Sequence, residues 1–280
     1  LRVADWWGAD LPINRGRYKC DRITYDYYKD SEIALEAFFA GDYDFRQENV
    51  AKQWAISYDA PPVRDGRIVK KQIEHQLPQG MQGFVYNLRR PVFADREVRR
   101  AIAYAFDFEW SNKQFAYGSY KRSRSYFSNS EMEAKGVPQG RELEILAPFR
   151  KQLPPELFTE EYNPPQTDGS GNNRANLKKA AEILDAAGWK PGPDGVRQKN
   201  GVTLRFEIVD LQPAFERWIL PFIKNLDRLG IKATFRVIDA SQLVNRMNSF
   251  DFDMTVQSFP QSNSPGNEQR EYWGSDKAEL

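Results

Sequence analysis

Apolar positions alternate or recur at helical spacing through most of the chain, and this pattern predicts its elements. In RITYDYY, Ile23, Tyr25 and Tyr27 fall on every second position, as on a half-buried strand. Ser31 can cap a helix bearing Ile33, Leu35, Phe38 and Phe39, and Gly41 stands where that helix would stop. Tyr43 and Phe45 resume an extended pattern, and Pro61, Pro62 and Gly66 mark a loop. RIVKKQIEHQ and MQGFVYN read as two further extended runs joined through residues 77–80. Just beyond, Asp95 is the expected N-cap of a helix whose apolar stripe is Val98, Ala101, Ile102 and Ala105. Arg96, Arg99 and Arg100 fall largely on its other side, a solvated basic face on a piece of scaffold.

Residues 118–172 break the rhythm. They are rich in Gly, Pro and Ser with scattered aromatics, an irregular segment of the kind that wraps a surface or carries function. Regularity returns over 174–258. RANLKKAAEILDAAG places Leu177, Ala180, Ala181 and Leu184 on one face, with Gly188 as a stop, and TLRFEIV alternates Leu204, Phe206 and Ile208. Pro213 opens a helix with Phe215, Trp218, Ile219, Phe222, Ile223 and Leu226 inward, ended by Gly230. IKATFRV alternates again, Ser241 caps a short helix, and FDFDMTVQSF supplies a last strand. The order βαβαβ with short turns calls for a mainly parallel sheet covered by helices, an α/β lobe. The main boundary is expected at the extended crossing, giving segments 1–78 and 79–280.

Composition narrows the function. A chain of 280 residues can hold two compact lobes. Lys plus Arg at 40 nearly cancels Asp plus Glu at 39, leaving +1, so nothing in the balance invites nucleic acid. Aromatics at 14% in a chain of negative mean hydropathy suit both cores and polar-ligand clefts. Cys20 is alone, which removes an internal disulfide and a thiolate metal cluster. No apolar run approaches the ~20 residues of a membrane span. The chain opens at Leu1 without Met or signal peptide and closes on WGSDKAEL, so both ends read as cut from a longer protein.

Candidate chemistry points to binding rather than bond-making. His75 is the sole histidine, which removes Ser–His–Asp, Cys–His and His-rich metal sites within these residues. DGSGNN at 168–173 lacks the Lys-Ser/Thr of a phosphate loop, and neither GxSxG nor GxGxxG occurs. Asp251 and Asp253 share a side of a strand and read as strand-entry acids rather than a catalytic pair. No cofactor or metal is expected. In open α/β sheets ligands lie beyond the carboxyl ends of strands. There the last strand runs into FPQSNSPGNEQREYW, with an aromatic plane at Phe259, amides at Gln261, Asn263, Asn267 and Gln269, and hydroxyls at Ser262 and Ser264. Such groups donate and accept together and suit a ligand with repeating amides; an ordinary surface turn with a Pro-Gly break is the alternative.

Several motifs, in order, resemble a known family: WWGADLPINRGRYKCDRITYDYYKD, ALEAFFAGDYDFRQEN, FVYNLRRPVFADREVRRAIAYAFDFEWSN, AAEILDAAGW, LGI…VID and DFDM. They are similar to those of the family 5 solute-binding proteins of ABC importers for dipeptides and oligopeptides. TDGSGNNR and QSNSPGNEQ resemble the branch associated with oligopeptide and microcin C uptake. The resemblance implies a type II periplasmic-binding-protein fold, with 1–78 as the end of the first lobe and 79–280 as most of the second. It implies a monomeric periplasmic carrier, not an enzyme, that captures an oligopeptide or modified peptide and hands it to an inner-membrane ABC permease. It places main-chain pairing with an extended peptide on Gly80, Met81, Gln82 and Phe84. The second part of the site is the loop holding Phe259, Gln261, Ser262, Asn263, Ser264, Asn267 and Glu268. Family members often carry there an Asp that holds the ligand's amino group. Ser262 occupies that slot, which implies a blocked or modified amine, or anchoring by Glu268. Two other classes stay open: a hydrolase of the same layout with reactive residues elsewhere, and a sensor lobe presenting solute to a receptor.

Overall fold

Asp30, rather than Ser31, starts the first helix: its carboxylate accepts the Glu32 and Ile33 N–H groups at 2.8 and 3.0 Å. Asp and Ser both cap well, and the Asp one residue earlier has the extended backbone a cap needs. The computed structural model describes residues 3–17 and 19–278. It divides into two compact units, Leu1–Lys71 and Gln72–Leu280.

The first unit is built on α1 (Ser31–Ala40), ended by Gly41 at φ +88°, and the short α2 (Pro61–Arg64). Its core is largely aromatic. Phe39 meets Tyr58 edge-on at 5.6 Å, Trp54 tilts onto the same ring at 5.7 Å, and Phe38 meets Tyr43 at 5.2 Å. Glu48 accepts from Arg46 at 3.0 Å and from the Tyr58 hydroxyl at 3.2 Å; burial and this carboxylate push Tyr58 up to about 12. The strand expected at 23–27 does not form, and Tyr25 and Tyr27 stand 74% and 93% exposed. A strand is stable only in a ladder, and the described residues of this unit contain no second one. The extended stretches at Tyr43 and Phe45 and over 69–76 also form no ladder.

In the second unit β1 (Met81–Tyr86) leads into α3 (Pro91–Ala94), α4 (Arg96–Ala105) and α5 (Phe108–Phe115). Then come α6 (Gly140–Leu146), α7 (Arg174–Ala186) and a small sheet of β2 (Lys190–Pro191), β3 (Arg197–Lys199) and β4 (Val202–Thr203). The unit closes with β5 (Arg205–Asp210), α8 (Glu216–Arg228), β6 (Lys232–Val237), α9 (Ala240–Asn248), β7 (Met254–Phe259) and α10 (Asn267–Trp273). The main sheet has the order β1-β7-β5-β6; β5 runs parallel to β6 and β7, and β1 runs antiparallel to β7. The βαβαβ pattern over 204–259 is therefore a parallel sheet, with β1 added as an antiparallel edge.

Helical spacing explains the packing. The stripe Val98, Ala101, Ile102 and Ala105 is buried, as are Leu177, Ala180 and Leu184 of α7 and Ile219, Phe222 and Leu226 of α8. These helices cover the face of β5 that carries Phe206 and Ile208, together with Leu204 just before it. Val209 points to the opposite face and meets Leu243 of α9, so β5 is buried on both sides. Asp239, not Ser241, caps α9 by accepting the Gln242 N–H at 2.9 Å. Asp95 caps α4 as expected, through the Glu97 N–H at 3.0 Å, and also accepts Trp189 Nε1 and Lys199 Nζ, both at 3.0 Å.

The glycines of DGSGNN serve packing on α5. Thr167 donates its hydroxyl to Asp107 and its N–H to Glu109, and Asn173 Nδ2 donates to the Tyr104 carbonyl. Gly171 sits at φ +85°, and a Cβ there would lie 2.9 Å from the Trp110 ring. Both the left-handed backbone and the contact demand glycine. Gly171→Ala is expected to cost about 2 kcal/mol in urea unfolding; an unchanged midpoint would refute this account of the loop.

Candidate functional site

The site begins with an unpaired strand edge. The Asn87 N–H donates to the Asp253 carbonyl at 2.9 Å, one step beyond the Tyr86↔Met254 pair. Hydrogen-bonded pairs alternate in an antiparallel ladder, so Val85, Gly83 and Met81 direct their backbone groups to β7. Gln82 and Phe84 turn theirs to the outer edge. Just before the strand, Gln79 forms an isolated bridge with Ser128, and no further strand pairs with β1 among the described residues. A row of open donors and acceptors is a template for an extended chain.

Gly80 joins this edge to the loop after β7. A Cβ on Gly80 would lie 2.7 Å from Pro260 Cα and closer still to the Phe259 carbonyl oxygen, so only glycine allows the approach. Met81 pairs with Phe259 in the next position. The two groups of site residues expected from sequence thus lie side by side. Gln82 is exposed and donates to Ser258 Oγ at 3.2 Å. The Phe84 ring packs inward on Phe106 and Phe222, so this residue presents its backbone rather than its side chain.

Phe259 anchors an aromatic cluster. Its ring stacks on Trp273 at 5.9 Å and meets Tyr126 and Tyr272 edge-on at 5.6 and 5.5 Å. Beside it opens a cavity of about 400 Å³ lined by Tyr126, Phe127, Met132, Ala134 and Trp273, with Arg124 and Ser125. The loop amides interlock: Gln269 Nε2 donates to Gln261 Oε1, and Trp273 Nε1 donates to Gln269 Oε1 at 3.2 Å. Gln261 Nε2 is buried without a partner among the described residues. The Ser262 hydroxyl donates to the Ser264 carbonyl at 2.9 Å and accepts the Ser264 N–H at 3.3 Å. Glu268 accepts the Gly266 N–H at 2.7 Å, and backbone N–H donors hold its carboxyl below the usual range, hence ionised. Asn263 and Asn267 are exposed.

Sequence reasoning missed Asp210, at the carboxyl end of β5 between β7 and β6. It is 3% exposed, accepts the Gln212 N–H at 2.8 Å, and burial pushes its carboxyl up. The available signal was its place straight after Ile208 and Val209, which leave no solvent face. Asp251 and Asp253 lie at the opposite end of the sheet. Both pair with Arg90 at 2.9 Å, and Asp253 also accepts the Glu207 N–H, so each already has partners. His75 accepts the Leu77 N–H in an exposed turn.

An open α/β sheet whose strand ends, edge strand and aromatic loop converge defines a binding lobe. The model of the bacterial extracellular solute-binding proteins, family 5 (middle region), matches residues 1–279, and the chain belongs to that family. It is 43% identical over 276 residues to YejA of Escherichia coli K12, covering 98% of this chain and 46% of that protein. It is 41% identical over 281 residues to a probable peptide-binding protein YejA of Agrobacterium fabrum C58, covering 99% and 46%. The chain thus spans about half the length of these relatives. In fold it is similar to the oligopeptide-binding protein AppA of Bacillus subtilis, solved with a nonapeptide. There the TM-score is 0.61 at 22% identity, over 89% of this chain and 42% of that one. The fold is that of type II periplasmic binding proteins.

Proposed function

We propose that this protein is the solute-binding component of an ABC importer, a monomeric periplasmic carrier that captures oligopeptide-like solutes and delivers them unchanged to an inner-membrane permease. One observation carries the reading: Gly80 fastens an open strand edge to an aromatic, amide-rich loop. Main-chain pairing and side-chain contact are therefore offered together. The peptide-binding relative and the peptide-bound structural neighbour support it. In this reading residues 1–78 are the end of the first lobe and 79–280 most of the second. Gly80, Gln82 and Phe84 contribute backbone, Met81 ties the edge to Phe259, and Phe259, Gln261, Asn263, Ser264 and Asn267 line the loop. The Ser262 hydroxyl is engaged with Ser264 and Glu268 with Gly266, which fits a ligand whose amino end is blocked or modified. Calorimetry and thermal melting of the intact protein with mixed tripeptides and tetrapeptides test this. Binding heat and a raised midpoint are expected; no heat and no shift across the library would sink it.

A further inference from the structure

The irregular segment between α5 and α7 carries a cation whose Nη1 has no hydrogen-bond partner among the described residues. The Arg122 guanidinium lies 5.1 Å from the centre of the Phe106 ring and 5.3 Å from that of Phe108. Its Nη1 is buried and without a hydrogen-bond partner among the described residues. The nearby acids are engaged elsewhere. Glu109 accepts the N–H and hydroxyl of Thr167 at 2.9 and 3.3 Å, and Glu133 and Glu161 flank Arg124 at 3.7 and 3.4 Å. Aromatic faces attract a cation but accept no hydrogen bonds from its fork of N–H donors. Burial depresses the proton affinity of Arg122, yet an arginine stays protonated in proteins. A buried charge with unfilled donors is costly until something fills them.

Its position suggests what does. The Phe106 ring beneath Arg122 meets Phe84, in the middle of β1, edge-on at 5.6 Å. Tyr126, four residues on, packs on Phe259 opposite Met81, where β1 begins. The residues from 122 to 126 thus run from the neighbourhood of Phe84 to the Met81 end of that strand. They span at most roughly 14 Å, the reach of an extended peptide of three or four residues.

We propose that Arg122 anchors the carboxylate of a short peptide-like solute whose other end meets the Phe259 loop. This rests on the carrier reading above and names the ligand group that the site selects. A planar guanidinium held on aromatic faces is preorganised for bidentate pairing with a carboxylate, and a neutral amide forfeits the charge-assisted part.

The test compares a library of tripeptides and tetrapeptides bearing free carboxyl ends with the same library amidated, on the intact protein and on Arg122→Met. The unaltered protein binds the free acids at least about tenfold more tightly than the amides. Arg122→Met loses that preference through weaker acid binding, with amide affinity kept within about twofold. Its ligand-free melting midpoint is unchanged or higher, because an unpaired buried charge has been removed. Equal binding of both libraries by the unaltered protein overturns the assignment while leaving the carrier reading intact. So does an equal loss for both in the variant, or a large fall in its midpoint. Binding of neither library overturns the carrier reading and this inference with it.

Discussion

Alanine at position 80 is expected to weaken peptide binding by about tenfold or more and to cost about 2 kcal/mol of stability. The neighbours that a Cβ would meet are backbone atoms of Phe259 and Pro260, not the end of a flexible side chain. They cannot swing aside, so the start of β1 and the loop after β7 must part. Separation moves the aromatic plane away from the strand edge, and a ligand spanning both loses one of them. Gly83 is the internal control. It lies three residues on in the same strand, but nothing lies within 4 Å of a Cβ built there. Gly83→Ala is expected to leave stability unchanged or slightly raised, since only the unfolded chain loses freedom. Titration calorimetry and urea unfolding of the two variants check the contrast; equal effects would remove Gly80 from its assigned role.

Asp95→Ala is expected to destabilise the second unit by about 3 kcal/mol at neutral pH. The substitution removes a helix cap and leaves Trp189 Nε1 and Lys199 Nζ without their acceptor. The pH dependence follows from the carboxyl's environment. Burial pushes it up, but hydrogen bonds from Trp189, Lys199 and the Glu97 N–H outweigh burial and hold it below the usual range. A carboxyl depressed in the folded state contributes stability that is full above its unfolded value, about 3.9. The contribution is lost as pH falls through the folded value. The gap between the unaltered protein and Asp95→Ala should therefore be widest at pH 7 and narrow in acid below about pH 4. Asp95→Asn, which keeps an acceptor but no charge, should fall between the two. Urea midpoints at both pH values report this, and a gap that stays constant into acid would contradict it.

The second unit was legible because its elements bury one face locally. Val98, Ala101, Ile102 and Ala105 share a helical stripe that is stable only when buried against another element, and the same holds for α7 and α8. The caps at Ser31 and Ser241 were misplaced because acids at Asp30 and Asp239 compete for the same N–H groups. The strand expected at Ile23, Tyr25 and Tyr27 failed for a different reason. Alternation specifies a face but not a partner, and the described residues of the first unit supply no ladder. At the candidate site, the Phe259 loop stood out because glycine, proline and amides signal a turn after the last strand, while Gly80 entered only through the family resemblance. Arg122 could not, since burial of a charge depends on packing that no period in the sequence encodes, whereas Asp210 was signalled only by following the apolar pair Ile208 and Val209.

The most direct measurement is hydrogen exchange at single-residue resolution on the intact protein, free and saturated with a peptide shown by calorimetry to bind. The Gln82 and Phe84 amides, open at the outer edge of β1, should slow by about tenfold or more on binding. Those of Gly83 and Val85, already donated to β7, should change little. Ligand occupancy with unaltered exchange at both Gln82 and Phe84 would contradict the claim that a guest chain is gripped along this edge.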